Sequence, residues 1–395
     1  MGQVTGIDGR RRCLITVGAD EIRQPHCPSL SDDEQLCRQA EPVLRDRGIR
    51  IVAVGADMSG PVRENSAPVG GGSAMIVFGP VPSRRLGRSL GINNIPPKVC
   101  SYACAYCQLG RTIRLRAAPQ AFHAPDELVR QVEAKLVAAT ATGAPVDYLS
   151  FVPDGEPTLD ANLGRHIELL RPLGVRIAVI TNGSLLASAA VRAALRAADW
   201  VSVKVDAVRQ DAWRRLDRPH KALRLDAIQA GVQEFAAEYP GHLVTETMLI
   251  ERINDDEQHL GELAEFLGSL RPAAAYLSVP TRPPAEPWAR APGEPAVNRA
   301  YQIVARSVGR VECLTGYEGN AFASTGDAEQ DLLSITAVHP MREDAVDEFL
   351  ARAGADRALL RRLVDERRLV EMEFAGHRFY LRRLRPAGPG GHAGA

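Results

Sequence analysis

Between residues 75 and 325 the chain alternates short continuous apolar runs with longer stretches of helical periodicity. The apolar runs fall at 146–152, 175–181, 201–205, 243–250 and 274–279. Between them, residues 125–140, 161–170, 185–198, 222–237 and 256–270 repeat their apolar positions at helical spacing. Strands apolar on both faces, separated by amphipathic helices, predict an α/β fold with a parallel sheet covered by helices. Chemistry in such folds gathers at the C-terminal ends of the strands, so each run is read at its last residues and the loop that follows.

The pattern changes on either side. In residues 326–385, helical spacing at 331–338, 342–352 and 355–366 is followed by alternating runs at 368–374 and 378–383, joined at Ala375-Gly376. Three helices and then a hairpin is the order of a winged helix. Its third helix carries Arg357, Arg361 and Arg362 and could face nucleic acid. The acids Glu343, Asp344, Asp347, Glu348, Asp365 and Glu366 offset that charge, and docking a protein is the other use of such a module. The Gly- and Pro-rich residues 386–395 are expected to be disordered. Residues 1–74 show strand-like pieces at 13–17 and 49–54, a helical stretch at 31–47, and a glycine run at 69–73 that reads as a flexible linker. They are expected to be a poorly ordered N-terminal extension, or the product of a start codon set too early. The core would then open at Met75.

With 395 residues the chain has room for two or three domains, and its formal net charge of zero does not advertise nucleic acid. No run of about 18 apolar residues predicts a membrane span, and the first residues lack the regions of a signal peptide. A reducing cytoplasmic location is expected.

The chemistry is concentrated in Lys98-Val-Cys-Ser-Tyr-Ala-Cys-Ala-Tyr-Cys-Gln-Leu-Gly110, where Cys100, Cys104 and Cys107 have the spacing Cys-x3-Cys-x2-Cys. A structural zinc site wants four ligands, and no nearby Cys or His completes one. A cubane iron–sulfur cluster takes four thiolates as a rule. Three thiolates would hold three irons and leave the fourth open to bind a ligand. Cys13, Cys27 and Cys37 are too loosely spaced for a second cluster and read as ordinary thiols.

This motif resembles that of the radical S-adenosylmethionine (SAM) superfamily. The resemblance implies a partial (β/α)6 barrel, a [4Fe–4S] cluster on Cys100, Cys104 and Cys107, and SAM chelated to the open iron. It implies reductive cleavage of SAM to a 5′-deoxyadenosyl radical that takes hydrogen from a substrate, with flavodoxin or ferredoxin as electron donor. Tyr106 would lie against the adenine. The run Pro153-Asp-Gly-Glu-Pro-Thr-Leu159 resembles the superfamily's Gly-Gly-Glu motif, with Asp154 in place of the first glycine. Gly155, Glu156 and Pro157 would hold the SAM ammonium. The opening Phe78-Gly-Pro-Val-Pro-Ser-Arg-Arg-Leu-Gly-Arg-Ser-Leu-Gly-Ile92 and the run Cys104-Ala-Tyr-Cys-Gln-Leu-Gly-Arg-Thr112 are similar to wyosine-synthase-like radical SAM proteins. That suggests a nucleotide or tRNA substrate without fixing one.

Further candidates come from strand ends. Asn182 and Gly183 form a turn in which Ser184 could cap the next helix, or the same groups could reach the SAM ribose. In Val203-Lys-Val-Asp206, alternation puts Lys204 and Asp206 on one face, where they pair with each other or meet SAM or substrate. Thr245, Glu246 and Thr247 are candidates of the same kind. Two basic patches, at 83–88 and 111–116, flank the cysteines and could meet an anionic substrate, the cluster's own charge, or solvent. His123 and His166 read as surface residues, and Cys313 as a core thiol. An alternative of another class is an iron–sulfur sensor that binds nucleic acid or protein through the C-terminal module and turns nothing over.

Overall fold

The computed structural model describes residues 13–16, 50–53, 76–316 and 319–383. The helical stretch at 31–47, Cys27, Cys37, the glycine run, Met75 and residues 386–395 lie outside them. Near the N-terminus β1 (Cys13–Thr16) pairs antiparallel with β2 (Arg50–Ala53).

The predicted alternation is present as a mostly parallel sheet. Strands β3 (Val77–Ser83) and β4 (Gly87–Ile92) form a hairpin. After the short pair β5 (Val99–Cys100) and β6 (Arg114–Leu115), the chain enters α1 (Pro125–Ala141), β7 (Tyr148–Phe151) and α2 (Leu163–Leu170). It continues through β8 (Arg176–Thr181), α3 (Ala189–Leu195), β9 (Trp200–Lys204), α4 (Gln210–Leu216) and α5 (Leu225–Glu238). Strand β10 (His242–Met248), α6 (Glu257–Leu270), β11 (Ala274–Ser278), α7 (Glu294–Val304) and β12 (Val311–Leu314) complete it. The eight strands lie in the order β12-β11-β10-β9-β8-β7-β4-β3. All neighbours run parallel except β3 and β4. The parallel part therefore holds one strand more than the six expected, because β12 extends it.

Local sequence accounts for the elements. Helix α6 starts where the Asp256 carboxylate accepts the His259 backbone N–H at 2.9 Å, and it buries Leu260, Leu263, Ala264, Leu267 and Leu270 along one stripe. The hairpin was not predicted as strands. Its glycines serve close packing: a Cβ on Gly91 would sit 2.0 Å from the Phe78 ring. The sheet curves. Arg85, in the β3–β4 turn, is ion-paired with Glu246 of β10, and Arg84 Nη2 reaches the Leu314 carbonyl at the end of β12. Leu86 from the same turn packs in one apolar cluster with Ala178, Trp200, Val244, Ala274, Tyr276 and Leu314. The turn thus meets the far half of the sheet, as in an open barrel.

The C-terminal residues form α8 (Ala328–Val338), β13 (Met341–Arg342), α9 (Glu343–Arg352), α10 (Arg357–Asp365), β14 (Leu369–Phe374) and β15 (His377–Arg382). The hairpin gains β13 as a third strand, in the order β13-β15-β14. This part shares its core with the sheet: Phe78 and Val81 of β3 pack with Phe322, Leu332, Ile335, Phe349 and Tyr380. Lys135 of α1 binds Asp331 of α8 at 2.5 Å, and the Asp331 side chain is fully buried.

Candidate active site

The loop after β4 carries the three cysteines to the C-terminal end of the sheet. There it meets the loops after β7 and β8. Gly155 makes this possible: a Cβ at that position would lie 1.9 Å from the Val99 carbonyl oxygen. The Glu156 N–H donates to that same carbonyl at 3.2 Å. On the other side, Asn182 Nδ2 donates to Ser101 Oγ at 2.8 Å, and Ser184 Oγ lies 2.6 Å from Ser101 Oγ.

Cys100, Cys104 and Cys107 are free thiols on the wall of one cavity of about 330 Å³. All three residues are half-buried and line that cavity. Burial, with the Glu156 carboxylate as a smaller contribution, pushes the Cys100 thiol up to about 12. Burial also holds Cys104 far above the ordinary thiol range, with Asp217 next in effect. Thiolates here therefore need positive charge beside them. Lys98 Nζ lies 3.7 Å from Cys107 Sγ, and Asn182 Nδ2 lies 3.8 Å from Cys100 Sγ. Among the described residues no three His, Cys, Asp or Glu side chains converge tightly enough to cage a single metal ion. Three half-buried thiols spread around one cavity, with donors near two of the sulfurs, fit a larger cationic group such as an iron–sulfur cluster.

The carboxylates differ sharply in how they are used. Glu156 is engaged on both oxygens: Oε1 accepts from Thr158 N at 3.0 Å, Thr158 Oγ1 at 2.5 Å and Thr181 Oγ1 at 2.6 Å, and Oε2 from Asn182 N at 2.8 Å. It clamps the loops after β7 and β8 together. Asp154 is 1% exposed, yet neither of its oxygens has a hydrogen-bond partner. Lys98 Nζ stands 3.5 Å from it. Burial pushes the Asp154 carboxyl up to about 6 against the opposing pull of Lys98.

Lys204 lines the cavity, held by Glu246 at 3.3 Å and Asp206 at 3.7 Å, with its ammonium 5.1 Å from the Tyr106 ring centre. Asp206 sits behind the wall. It accepts from Met248 N at 2.6 Å and from the Tyr106 hydroxyl. Of Thr245, Glu246 and Thr247, only Glu246 lines the cavity, where it also receives Arg85. Pro157 starts the buried 3₁₀ turn Pro157–Leu159.

Several expectations need correction. Ser184 does not cap the next helix, because α3 begins at Ala189 after Ser188. His166 is fully buried, 3.1 Å from Asp160, and Cys313 is exposed. Arg84 and Arg85 face the cavity, whereas Arg88 pairs with Asp147 away from it. Sequence reasoning missed Lys98, Asp154 as an unsatisfied acceptor, Asp217, Arg282 and His339. Arg282 donates to Gln108 at 2.7 Å and lies 2.9 Å from the His339 ring, so the C-terminal part supplies cavity wall. Lys98 stands inside the quoted cysteine motif, but no motif marks Arg282 or His339.

The profile of the Radical SAM superfamily matches residues 94–266, a span that includes the cysteine loop and the loops after β7, β8 and β9 but not the β3–β4 turn. The UPF0026 protein MJ1312 of Methanocaldococcus jannaschii is 41% identical over 312 residues, covering 78% of this chain and 97% of that protein. This chain belongs to the UPF0026 family of radical SAM proteins. The UPF0026 protein slr1464 of Synechocystis is 37% identical over 211 residues, 52% of this chain and 76% of its own. Among solved structures, TYW1 with a lysine–pyruvate adduct bound has a TM-score of 0.44 at 15% identity, covering 56% of this chain and 74% of that one. Membership implies SAM and a [4Fe–4S] cluster as cofactors and reductive cleavage of SAM as the chemistry. Among the described residues, no helix of this radical SAM protein is long and apolar enough to cross a membrane.

Proposed function

We propose that the chain is an enzyme that cleaves SAM reductively at a [4Fe–4S] cluster held by Cys100, Cys104 and Cys107, and acts on a substrate placed in the adjoining cavity. The observation that carries this reading is the set of three half-buried thiols on one cavity wall at the C-terminal end of the sheet. When bound, cluster and SAM together supply a 5′-deoxyadenosyl radical for hydrogen abstraction.

The protein's own residues bind, orient and exclude water. Gly155 and Glu156 press the loop after β7 against the cysteine loop. Asp154, whose oxygens lack hydrogen-bond partners and face only the Lys98 ammonium, is the acceptor assigned to the SAM ammonium; Glu156 already accepts backbone and side-chain donors on both oxygens. Lys204 is the cation on the wall assigned to the SAM carboxylate, among several that line it. Asp206 is a positioning residue, because it holds Tyr106 and Lys204 from behind. Asn182 and Ser184 fix the cysteine loop through Ser101.

The residues from 328 to 382 are read as a winged helix that walls the cavity. Two of the three arginines on its third helix are paired: Arg357 with Asp347 and Glu343, and Arg362 with Glu329 at 2.5 Å. That pairing weighs against a sensor that grips nucleic acid through this helix. A nucleotide or tRNA substrate, suggested by the wyosine-synthase resemblance, would instead have to present its reacting atom to the cavity.

The test is anaerobic reconstitution of the full chain with iron and sulfide, reduction with dithionite, and measurement of 5′-deoxyadenosine from SAM. About four irons per chain with slow cleavage is the expected result. Cys104→Ser should lose both cluster and product, and undiminished cleavage by that variant would refute the assignment. Acceleration by bulk tRNA, compared with a cell extract freed of RNA, then tests the substrate class.

A further inference from the structure

The cysteine loop has a second face, turned away from the cavity. Two chain segments run along it. Arg114 N and Arg116 N donate to the carbonyls of Lys98 and Cys100 at 3.0 and 2.9 Å, and β6 pairs with β5 so that Leu115 lies opposite Cys100. The Arg218-Pro-His-Lys221 segment lies beside them: His220 N donates to the Ser101 carbonyl at 2.9 Å, and Ala103 N to that of Arg218 at 3.2 Å. Glu286 ties the two together through Arg111 at 3.2 Å and Arg218 at 2.7 Å. Trp288, two residues on, has the guanidinium groups of Arg215 and Arg218 within 5.6 and 5.7 Å of its ring centre.

This face combines exposed apolar side chains with cations. Ile113 is 57% exposed, Leu115 38% and Trp288 36%. Arg111, Arg114, Arg116, Arg215 and Lys221 are exposed around them, and Arg116 is bonded to the neutral amide of Gln120. The cavity wall reaches Thr112 and stops there: none of residues 113–116 lines it. A substrate must enter the cavity, so this face has no role in holding one at the reacting position. Its place is beside the cluster ligands. Neighbouring strands stand about 4.8 Å apart, so a protein seated on β6 would lie one strand's width from the Cys100 backbone.

We propose that this face docks a small acidic electron-carrier protein, which meets the apolar side chains at its centre and the arginines at its rim. The proposal rests on the cluster reading above. The carrier is oxidised by one electron and the cluster reduced by one; no atom is transferred.

The test uses the full chain and an Arg114→Glu/Arg116→Glu variant, with fully reduced flavodoxin and reduced ferredoxin as probes. Wild type should bind at least one carrier, and stopped-flow bleaching of the cluster absorbance by that carrier should slow as salt rises from 50 to 300 mM (roughly a threefold change in screening length per tenfold change in salt). In the variant, bleaching by the carrier should fall at least tenfold and lose its salt dependence, while bleaching by dithionite stays as in wild type. Equal carrier-driven rates in the two proteins would overturn the proposal, as would failure of wild type to bind either carrier. Patch-dependent binding of tRNA in place of the carriers would assign the face to RNA and overturn it as well. Carrier binding is also measured on the cluster-free chain. If dithionite reduces nothing in wild type, the cluster reading fails, and the binding experiment still decides the docking face.

Discussion

Glu156 and Asp154 stand two residues apart, and their surroundings give them different work. Glu156 accepts backbone N–H groups on both oxygens, from Thr158 at 3.0 Å and Asn182 at 2.8 Å. A Glu156→Gln amide would have to turn its NH₂ toward one of these donors, and a backbone N–H cannot reverse. The expected cost is about 2–3 kcal/mol of stability, read as a lower urea midpoint. Asp154 is the opposite case: burial pushes its carboxyl up to about 6. The folded chain then holds that proton more tightly than the unfolded chain. The associated stability is present below about pH 4 and is lost as pH rises through the folded value. In the cofactor-free protein, the stability of wild type relative to Asp154→Asn should therefore fall by on the order of 3 kcal/mol between pH 4 and pH 7. A pH-independent difference would show that the carboxyl is not perturbed. The same variant should bind SAM more weakly at pH 7, since it removes the acceptor assigned to the ammonium.

At the scale of elements, α8 is fastened to α1 by one buried contact. Asp331 accepts from Lys135 at 2.5 Å, from Thr325 N at 2.6 Å and from Ser324 Oγ at 3.1 Å. Asp331→Ala would leave the Lys135 ammonium without its buried partner and free the 324–325 turn. A loss of about 3–5 kcal/mol is expected, with faster proteolysis after residue 324 in the native protein. The elements also show what could be read from sequence. Strands β7 to β11 are legible because both of their faces are covered, so their apolar runs are continuous. The β3–β4 hairpin is not, because its strand character comes from distant partners: Phe78 packs over Gly91, and β4 pairs with β7. At the site, the three cysteines are legible because one loop carries them. Arg282 and His339 come from separate elements with no pattern of their own, and only the folded chain brings them to the same wall. The solvent face expected for His166 failed for a related reason, since its partner Asp160 is supplied by the loop after β7.

On the scale of the whole molecule, the barrel and the C-terminal part are built around each other. Phe78 and Val81, 4% and 8% exposed, belong to a sheet strand but are buried in the C-terminal core, and His339 lines the same cavity as the cysteines. A chain ending at residue 324 would expose both side chains, leave Lys135 without Asp331, and open one wall of the cavity. Uncovering the two side chains alone should cost about 3–5 kcal/mol. For a chain of this size the corresponding drop in Tm is on the order of 10 °C, accompanied by increased binding of a hydrophobic dye. Such a truncated chain should still carry the cysteine loop, whose supports come from residues 98–221, Arg282 and Glu286, all of them retained; only the His339 contact behind Arg282 is lost. Iron uptake and thermal stability should therefore separate: near-normal iron content in a chain that melts early. An unchanged Tm would mean that the C-terminal part is an independent domain resting on the barrel. Loss of iron together with stability would mean that its support extends to the cluster loop itself.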